Sequence, residues 1–378
     1  MPEHFTSATL KIQNKKNILK YIYFQKKATP GRISGYLGLS RPTTAQILRE
    51  LLAGDFVHQE GFASSTGGRK AQIYTFNQFQ KIAVGVEIRI DRYEISAVNL
   101  YSDMLKYESF SCSYQNASAY YDKLALSINT FIDSLNVPPE KILGVGIGLQ
   151  ALISSDGQTI LYGKILGCTG LNISEFNTRI PYPCVFHHDA ECLANSELWM
   201  DTALKDAIFF NIRDNLSGAV IINRRFFRGS ELKSGVFEHM TLFPGGKPCY
   251  CGKKGCVNAY CSFSSLVEPE EEIDTFFQRL RSGDKAAALK WEEYLSHLAL
   301  AVDNLHMLIT SDIIIGGKIS NYLTTQDLEN LQQKVDKLSA FPNDEGYIRT
   351  SKTSNIPLCV GAAIPFVRKY LENTFLGA

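Results

Sequence analysis

One short segment carries four side chains that together can bind a metal ion. His239, Cys249, Cys251 and Cys256 offer one imidazole and three thiols on a glycine-containing loop. This is the ligand set of a tetrahedral structural zinc site, in which four protein donors leave no open coordination position. The pattern therefore predicts a zinc ion that shapes the loop and does not activate water.

The other interpretation of these cysteines is a disulfide or a set of unrelated thiols. Cys249 and Cys251 are too close along the chain to bridge each other comfortably. Residues 1–20 lack the apolar core of a secretory signal, so we expect a reducing, cytoplasmic location. A fifth thiol nearby, Cys261, is expected to be a small buried hydrophobe. Structural Zn²⁺ is thus the predicted cofactor.

Charge is distributed unevenly along the chain. The formal net charge is +1 over 378 residues, but residues 1–78 hold 11 Lys and Arg against 4 Asp and Glu. The remaining residues hold 28 against 34. A basic N-terminal segment on a mildly acidic body indicates a polyanion partner for that segment. The sequence has no apolar run of the roughly 18 residues that a membrane span needs, so no membrane partner is expected.

The basic segment has the pattern of a helix-turn-helix. Apolar periodicity predicts a helix over 17–25 and a short helix over 30–39, and Ser40 is a natural N-cap for a third helix with Pro42 in its first turn. In this motif the start of the last helix enters the major groove of DNA. The predicted DNA-contacting residues on this helix are Arg41, Thr43, Thr44, Gln46 and Arg49.

Residues 56–76 alternate like two strands around a loop of small residues, which is the pattern of a wing. Gly67 and Gly68 let the backbone approach DNA, so that Arg69 and Lys70 can reach a narrow minor groove or its phosphates. The alternative is a winged helix used only for protein contacts, with both charges solvated in a turn. The charge excess and the polar face of the recognition helix favour DNA.

The remainder of the chain predicts an α/β body. The order strand, strand, strand, helix, strand occurs after residue 80 and again, more loosely, after residue 206. Two copies of such a unit imply two lobes with a ligand cleft between them. The predicted elements are a hairpin over 81–99, strands over 104–114, 142–149, 207–212, 219–223, 226–228 and 312–315, and helices over 119–135, 286–309 and 361–371.

Taken in order, these features resemble the ROK family of repressors and sugar kinases. The resemblance rests on the winged helix ending in Gly-Gly-Arg69, Asp189-Ala190, the loop His239–Cys256, Ile315-Gly-Gly317 and Gly361-Ala-Ala363. It implies a winged helix-turn-helix over 1–78 and a two-lobed, actin-like ATPase fold of the ribonuclease-H type over 79–378. Lobe one would span about 79–190 plus the C-terminal helix, and lobe two about 191–360. It also implies a sugar-responsive transcription regulator, usually an oligomeric repressor.

The phosphate-binding positions implied by the family are altered. Its kinases carry Asp-x-Gly-Gly-Thr in the first hairpin, where this chain has Glu87-Ile-Arg-Ile-Asp91. The second, glycine-rich phosphate loop corresponds to 213–219, and only Gly218 remains there. Bulky side chains thus stand where backbone N–H groups would face phosphate. We expect no phosphoryl transfer from ATP.

The implied sugar site is altered as well. The family's Asn-Asp pair is His188-Asp189 here, and its Glu-x-Gly-His is Val236-Phe-Glu-His239. Each charged hydrogen bond lost to a sugar hydroxyl weakens binding by about 1.5–3 kcal/mol, so we do not expect plain glucose bound in the usual way. The predicted ligand-binding residues are His188, Asp189, Glu238, His239 and Asn258.

Three interpretations of this altered cleft remain open. It binds another sugar or a sugar derivative, it binds a non-sugar metabolite, or it is unliganded and serves dimerisation. The persistence of Asp189 and of the zinc loop favours the first. The neighbouring His187 and His188 do not indicate a second metal site, because adjacent strand residues point to opposite faces.

The sequence therefore predicts a non-enzymatic, ligand-responsive DNA-binding regulator of carbohydrate metabolism. A homodimer or larger homo-oligomer would place winged helices on a palindromic, A·T-rich operator. The main alternative is a ROK-type sugar kinase with an accessory DNA-binding head. A weaker alternative is an adaptor whose body binds a protein partner.

Overall fold

Three helices and a small sheet form the first part of the chain, which we call the head. The computed structural model describes residues 7–64, 70–268, 270–341 and 346–376. The elements are α1 (Ser7–Gln25), β1 (Lys27–Ala28), α2 (Pro30–Leu37), α3 (Arg41–Ala53), β2 (Val57–Phe62) and β3 (Gln72–Phe76). The succession of α2 and α3 confirms the predicted helix-turn-helix. The strands pair antiparallel in the order β1-β3-β2, which confirms the two strands predicted for the wing.

Local signals set the turn of the helix-turn-helix. Gly38 ends α2 with φ of +66°, a left-handed conformation that glycine adopts without strain. Ser40 caps α3, since its Oγ accepts a hydrogen bond from the backbone N–H of Thr43 at 3.2 Å. Ile47 and Leu51 of α3 are buried, which fixes the apolar face of the helix against the head core. The opposite face is left for contacts outside the head.

Lobe one is built on a five-stranded sheet in the order β10-β7-β4-β5-β6. Strands β4, β5 and β6 are antiparallel, while β4, β7 and β10 are parallel. The elements are β4 (Ile82–Ile88), β5 (Arg92–Val98), β6 (Met104–Ser111), α4 (Ser118–Asp133), β7 (Ile142–Leu149), β8 (Leu152–Ile153), β9 (Ile160–Tyr162), α5 (Ser174–Asn177) and β10 (Cys184–His188).

A second five-stranded sheet, in the order β13-β12-β11-β14-β15, forms lobe two. The two sheets confirm the prediction of two α/β units. Helix α6 (Asp189–Met200) leads from lobe one into lobe two. The other elements are β11 (Ala207–Ile212), β12 (Leu216–Ile222), β13 (Arg225–Phe226), α7 (Asn258–Cys261), α8 (Phe263–Leu266), α9 (Ile273–Arg281), α10 (Lys285–His306), β14 (Asp312–Gly316), α11 (Thr325–Leu338) and β15 (Ile348–Thr350).

The last helix, α12 (Leu358–Leu371), returns to lobe one and continues as a π-helical turn over Glu372–Leu376. The backbone of α12 lies in direct contact with the backbones of β4 and α6. A Cβ on Gly85 of β4 would lie 1.7 Å from the Cys359 carbonyl oxygen, and one on Gly361 would lie 1.8 Å from the Cys192 carbonyl oxygen of α6. Glycine is therefore required at both crossings.

The head shares a hydrophobic core with the body. Ile18 and Phe76 of the head belong to the same buried cluster as Leu100 of lobe one and Val367 of α12. Only residues 77–81 connect the last strand of the head, β3, to the first strand of the body, β4. Within the described ranges, the structure has no helix with the length and apolar character of a membrane span.

Adding a methyl group at Gly361 should destabilise the protein. Gly361→Ala forces the Cβ into the α6 backbone, and overpacking of this kind typically costs about 1–3 kcal/mol of unfolding free energy. Gly35→Ala is the matched control, because Gly35 lies in α2 with no atom within 4 Å of its would-be Cβ. We expect urea denaturation to show a lower midpoint for Gly361→Ala only. Equal midpoints for both variants would contradict the close packing of α6 on α12.

Candidate functional site

The four predicted zinc ligands converge in the structure. The ligand atoms of His239, Cys249, Cys251 and Cys256 all lie within 4.8 Å of one another. Cys249 Sγ is 3.7 Å from His239 Nδ1, and Cys251 Sγ is 3.7 Å from Cys256 Sγ. A tetrahedral ion with Zn–S bonds of about 2.3 Å separates its ligand atoms by roughly 3.5–3.8 Å. The donor set and its spacing therefore fit a metal ion held by four protein ligands.

Glycines shape this metal loop. Gly252 and Gly255 have φ angles of +95° and +81°, which L side chains rarely adopt. A Cβ on Gly255 would also lie 1.8 Å from the Phe243 carbonyl oxygen, so the chain can close on itself only with glycine there. The fifth thiol, Cys261, is fully buried and outside the four-residue group, as expected for a small hydrophobe.

Asn258 ties the metal loop to lobe two. Its Oδ1 accepts a hydrogen bond from the backbone N–H of Leu216 at 2.8 Å, and its Nδ2 is 3.9 Å from Cys249 Sγ. Both polar groups of the side chain are therefore engaged inside the protein. Asn258 orders the metal loop against β12, which differs from the direct ligand contact that the sequence predicts.

Asp189 is the centre of a buried polar cluster in the cleft. The carboxylate Oδ2 accepts hydrogen bonds from Asn211 Nδ2 at 2.9 Å and from Ser217 Oγ at 2.8 Å, both in lobe two. Its Oδ1 is 3.0 Å from Nδ1 of His188. Asp189 thus joins the end of the lobe-one sheet to the hairpin of β11 and β12.

The charges of this cluster depend on each other. Burial lowers the pKa of His188, but the adjacent Asp189 carboxylate outweighs burial and raises that pKa to about 9. Burial raises the pKa of Asp189, but His188 and the Ser217 hydroxyl outweigh it and hold the pKa below its usual range. The two side chains therefore form a buried ion pair at neutral pH.

Glu238 lies in the cleft beside this pair. It is 2% exposed, and burial raises the pKa of its carboxyl to about 8. Glu238 Oε2 and His188 Nε2 belong to the buried side-chain atoms that have no hydrogen-bond partner in the described part of the chain. Because buried polar atoms are normally hydrogen-bonded, these atoms indicate a place for a small polar ligand or for water.

Two adjoining cavities open beside these atoms. One of about 40 Å³ is lined by His188, Glu238, His239 and Tyr250. The other, of about 110 Å³, extends from His188 towards an ion pair between Glu191 and Arg228, and its lining also includes His187. Three of the five predicted ligand-binding residues, His188, Glu238 and His239, therefore line the smaller cavity. Asp189 does not line it but contacts His188, and Asn258 is engaged elsewhere.

Ion pairs join the two hairpins that face each other across the cleft. Glu87 of β4 accepts a hydrogen bond from Arg213 in the hairpin of β11 and β12. Arg89 Nη2, in the turn between β4 and β5, is 2.9 Å from Asp214 Oδ2, in the turn between β11 and β12. The guanidinium groups of both arginines are therefore engaged by carboxylates, and the hairpins hold lobes one and two together.

The recognition helix presents most of its predicted contacts outward. Arg41, Gln46 and Arg49 are exposed on α3, and Thr43 is partly exposed beside the cap. Lys70 is exposed two residues before the second wing strand, β3. Arg69 lies outside the described residues.

Thr44 differs from the prediction of a DNA contact. Its side chain is fully buried. The hydroxyl Oγ1 accepts a hydrogen bond from Ser34 Oγ at 3.0 Å and donates one to the Ser40 carbonyl at 3.1 Å. Thr44 therefore joins α2 to α3, because its position on the helix faces the neighbouring helix and not the solvent.

Sequence reasoning missed the partners of Asp189. Asn211 and Ser217 lie in strands that are otherwise apolar, and both are almost completely buried. A polar residue within an apolar strand is the signal that could have identified them, since such a residue needs a buried hydrogen-bond partner.

The fold and the site define a winged-helix protein with a two-lobed, actin-like α/β body and a His-Cys metal loop. The profile described as "ROK family" matches residues 83–368, and the chain belongs to the ROK family. A xylose repressor from Caldicellulosiruptor bescii is 23% identical over 359 residues, which cover 87% of this chain and 89% of that protein.

Solved structures show the same fold. A ROK family transcriptional regulator, described as a homolog of the Escherichia coli MLC protein, superposes with a TM-score of 0.75 at 17% identity. That match covers 97% of this chain and 98% of the other. A ROK family glucokinase from Streptomyces griseus, solved with glucose and AMPPNP, has a TM-score of 0.65 at 20% identity and covers 75% of this chain and 98% of its own. The similarity to the regulator thus includes the head, in contrast to the shorter match to the kinase.

Removing one residue of the His-Cys group should lower the metal content of the purified protein and destabilise lobe two. Cys249→Ser leaves three ligands, and because closed metal sites contribute directly to folding, we expect loss of bound zinc and a lower melting temperature. Cys112→Ser is the control, since Cys112 lies outside the cluster. Metal analysis of the purified variants checks both. Wild-type zinc content in Cys249→Ser would refute the ligand set.

Proposed function

We propose that this protein is a DNA-binding transcriptional regulator that represses genes of carbohydrate metabolism. In this proposal the cleft of the body binds a sugar or a sugar-derived effector and no longer phosphorylates it. The observation that carries the proposal is the combination of a winged helix with a ROK body whose two phosphate-facing hairpins are joined to each other by ion pairs.

The exposed side chains of α3 support DNA as the partner of the head. Arg41, Thr43, Gln46 and Arg49 form the polar start and outer face of a capped helix, which is the part that enters the major groove in helix-turn-helix proteins. Arg69 and Lys70 would contact the backbone or minor groove from the wing. Relatives described as a xylose repressor and as a transcriptional regulator agree with this role.

The ion-paired hairpins support loss of kinase activity. A γ-phosphate and its metal need free backbone N–H groups and free cationic side chains. Here Arg213 forms an ion pair with Glu87, and Arg89 forms an ion pair with Asp214. The carboxylates also add negative charge where phosphate would bind. Binding of ATP phosphates would therefore have to break two ion pairs.

The buried polar cluster supports a small polyol as the effector. His188, Glu238 and His239 line the smaller cavity with acceptors and donors suited to hydroxyl groups, and Asp189 holds His188 from behind. The zinc ion of this proposal is structural and fixes the loop that carries His239, and Asn258 orders that loop. The effector would act by binding two arrangements of the lobes with different affinity.

The proposal divides the chain at residue 78 into a DNA-binding head and an effector-binding body. Two heads in a homodimer would match the two half-sites of a palindromic operator. Regulation follows if closure of the cleft changes the spacing or orientation of the heads, because the half-site spacing on DNA is fixed by the helical repeat.

Substitutions on the head should separate base contacts from phosphate contacts. Gln46→Ala should weaken binding to a duplex selected from a random library by about 1–3 kcal/mol and relax preference at one base position. Arg69→Ala should lower the slope of log affinity against log salt by about one, as expected for one lost phosphate contact. Arg225→Ala is the control, since Arg225 is exposed in lobe two, away from the head. Fluorescence anisotropy at several salt concentrations measures all three, and unchanged affinity in both head variants would contradict the DNA interface.

Asp189 should be required for the response to a sugar. A panel of pentoses, hexoses and amino sugars is screened by thermal shift, and the sugar that stabilises the wild type should weaken its binding to the selected duplex. Asp189→Ala should remove both effects, because the carboxylate anchors the polar cluster.

The alternative, a sugar kinase with an accessory head, predicts ATP hydrolysis that a sugar stimulates and that Asp189→Asn abolishes. Sugar-stimulated hydrolysis by the wild type would overturn the regulator proposal.

A further inference from the structure

One buried helix runs from the cleft towards the head. Helix α6 starts at Asp189 with His188 as its N-cap residue and ends at Met200. Every residue from Asp189 to Leu198 is buried. Twelve residues at 1.5 Å per residue span about 18 Å, so the polar cluster of the cleft sits at one end of a rod of that length.

Contacts along its length keep α6 from bending or sliding alone. The fully buried Glu197 accepts hydrogen bonds from Arg349 Nη1 at 2.6 Å, from Ser351 Oγ at 2.7 Å and from the backbone N–H of Lys352 at 3.0 Å. On another side, Gly361 of α12 touches the α6 backbone directly. A displacement at the cleft end should therefore move the whole helix, because close-packed interiors transmit strain.

The last turn of α6 contacts the joint between head and body. Trp199 Nε1 donates a hydrogen bond to the Tyr101 carbonyl at 2.9 Å, in the turn between β5 and β6. Tyr101 Oη in turn donates to the Tyr23 carbonyl at 3.1 Å, and the two rings stack with centroids 4.7 Å apart. Tyr23 Oη donates back to the Leu100 carbonyl at 3.0 Å. The joint is thus tied in both directions by tyrosine hydroxyls.

Tyr23 belongs to α1, which also contacts the recognition helix. Lys11 Nζ of α1 is 2.6 Å from Glu50 Oε1 of α3. Ile18 and Ile22 of α1 pack in the same buried cluster as Ile47 of α3. A tilt of α1 at the joint therefore changes the direction in which α3 is presented to DNA.

From these contacts we infer that Trp199 is a positioning residue that transmits the state of the cleft through Tyr101 and Tyr23 to the head. The inference deepens the proposed function and rests on it, because it names the route by which the cleft would regulate DNA binding. It requires that the lobe arrangements differ in the position of α6, so that the cleft and the head bias the same element.

The test changes Asp189 at the cleft end of α6 and measures amide exchange at the joint between head and body. It uses the full-length protein without DNA or sugar. Asp189→Asn keeps the shape of the side chain and removes its charge from the start of α6. We expect hydrogen–deuterium exchange of the amides in 18–28 and 99–103 to rise by about fivefold, the lower end of coupling between sites in proteins. In the Trp199→Phe background the same substitution should leave these amides unchanged.

Trp291→Phe is the matched control. Trp291 Nε1 donates to Asp327 Oδ1 at 2.8 Å inside lobe two. The control therefore also loses one indole hydrogen bond, but away from the joint. In this background Asp189→Asn should still change amide exchange at the joint.

The Trp291→Phe background also permits a fluorescence measurement, because Trp199 is then the remaining one of the two tryptophans in the chain. The fluorescence emission of Trp199 should shift with Asp189→Asn.

Equal changes at the joint in the wild-type and Trp199→Phe backgrounds would overturn the inference, as would the absence of any change in the wild type. If Trp199→Phe fails to fold, Tyr101→Phe tests the next contact, since it removes one hydroxyl and keeps the stacked ring. If Asp189→Asn fails to fold, Ser217→Ala perturbs the same carboxylate by removing one hydrogen bond. Because no DNA or sugar is used, a failure to select DNA would count against the proposed function alone.

Discussion

The body depends on helices and strands that touch at their backbones. Gly85, Gly146 and Gly361 each stand where a Cβ would lie within 2 Å of a carbonyl oxygen on a crossing helix. This contact seats α12 on the sheet of lobe one and α6 on α12. The C-terminal helix thereby holds together the first sheet, the helix that leads to lobe two and, through Val367 and Phe375, the core of the head.

The two hairpins that face each other across the cleft are joined by charged side chains. Charges placed between two lobes are costly to bury unless they are paired. Glu87 and Arg213 form such a pair, and Arg89 with Asp214 adds a more exposed one. The hairpins are thus held across the cleft by side chains of the protein.

The polar cluster at Asp189 has a structural role, and in the proposed function it also takes part in effector binding. Its hydrogen bonds to Asn211 and Ser217 join the lobes, and its neighbours His188 and Glu238 leave buried polar atoms facing the cavities. An effector that satisfies these atoms would compete with or reinforce contacts that define the interface between lobes. Binding and lobe geometry are therefore linked by the same side chains, which is the physical requirement for a regulatory site.

Local patterns in the sequence predicted much of the secondary structure and the metal loop, but not helix α6 or strand β10. The Ser40 cap, the apolar strand over 142–149 and the spacing of His239 and its cysteines each depend on neighbours in the chain, and each prediction matches the structure. The family resemblance then implied the order of the lobes. These features needed no knowledge of distant contacts, because capping, alternation and ligand spacing are short-range properties.

Only the tertiary structure decided which side chains face each other. Thr44 is buried against α2, and the side chain of Asn258 accepts a hydrogen bond from the backbone of Leu216. Asn211 and Ser217 are the hydrogen-bond donors to Asp189. The ion pair between Glu87 and Arg213 joins residues more than a hundred positions apart. The sequence shows the residue types at these positions, but pairing and burial depend on how the sheets and helices pack, and that packing is set by contacts between distant parts of the chain.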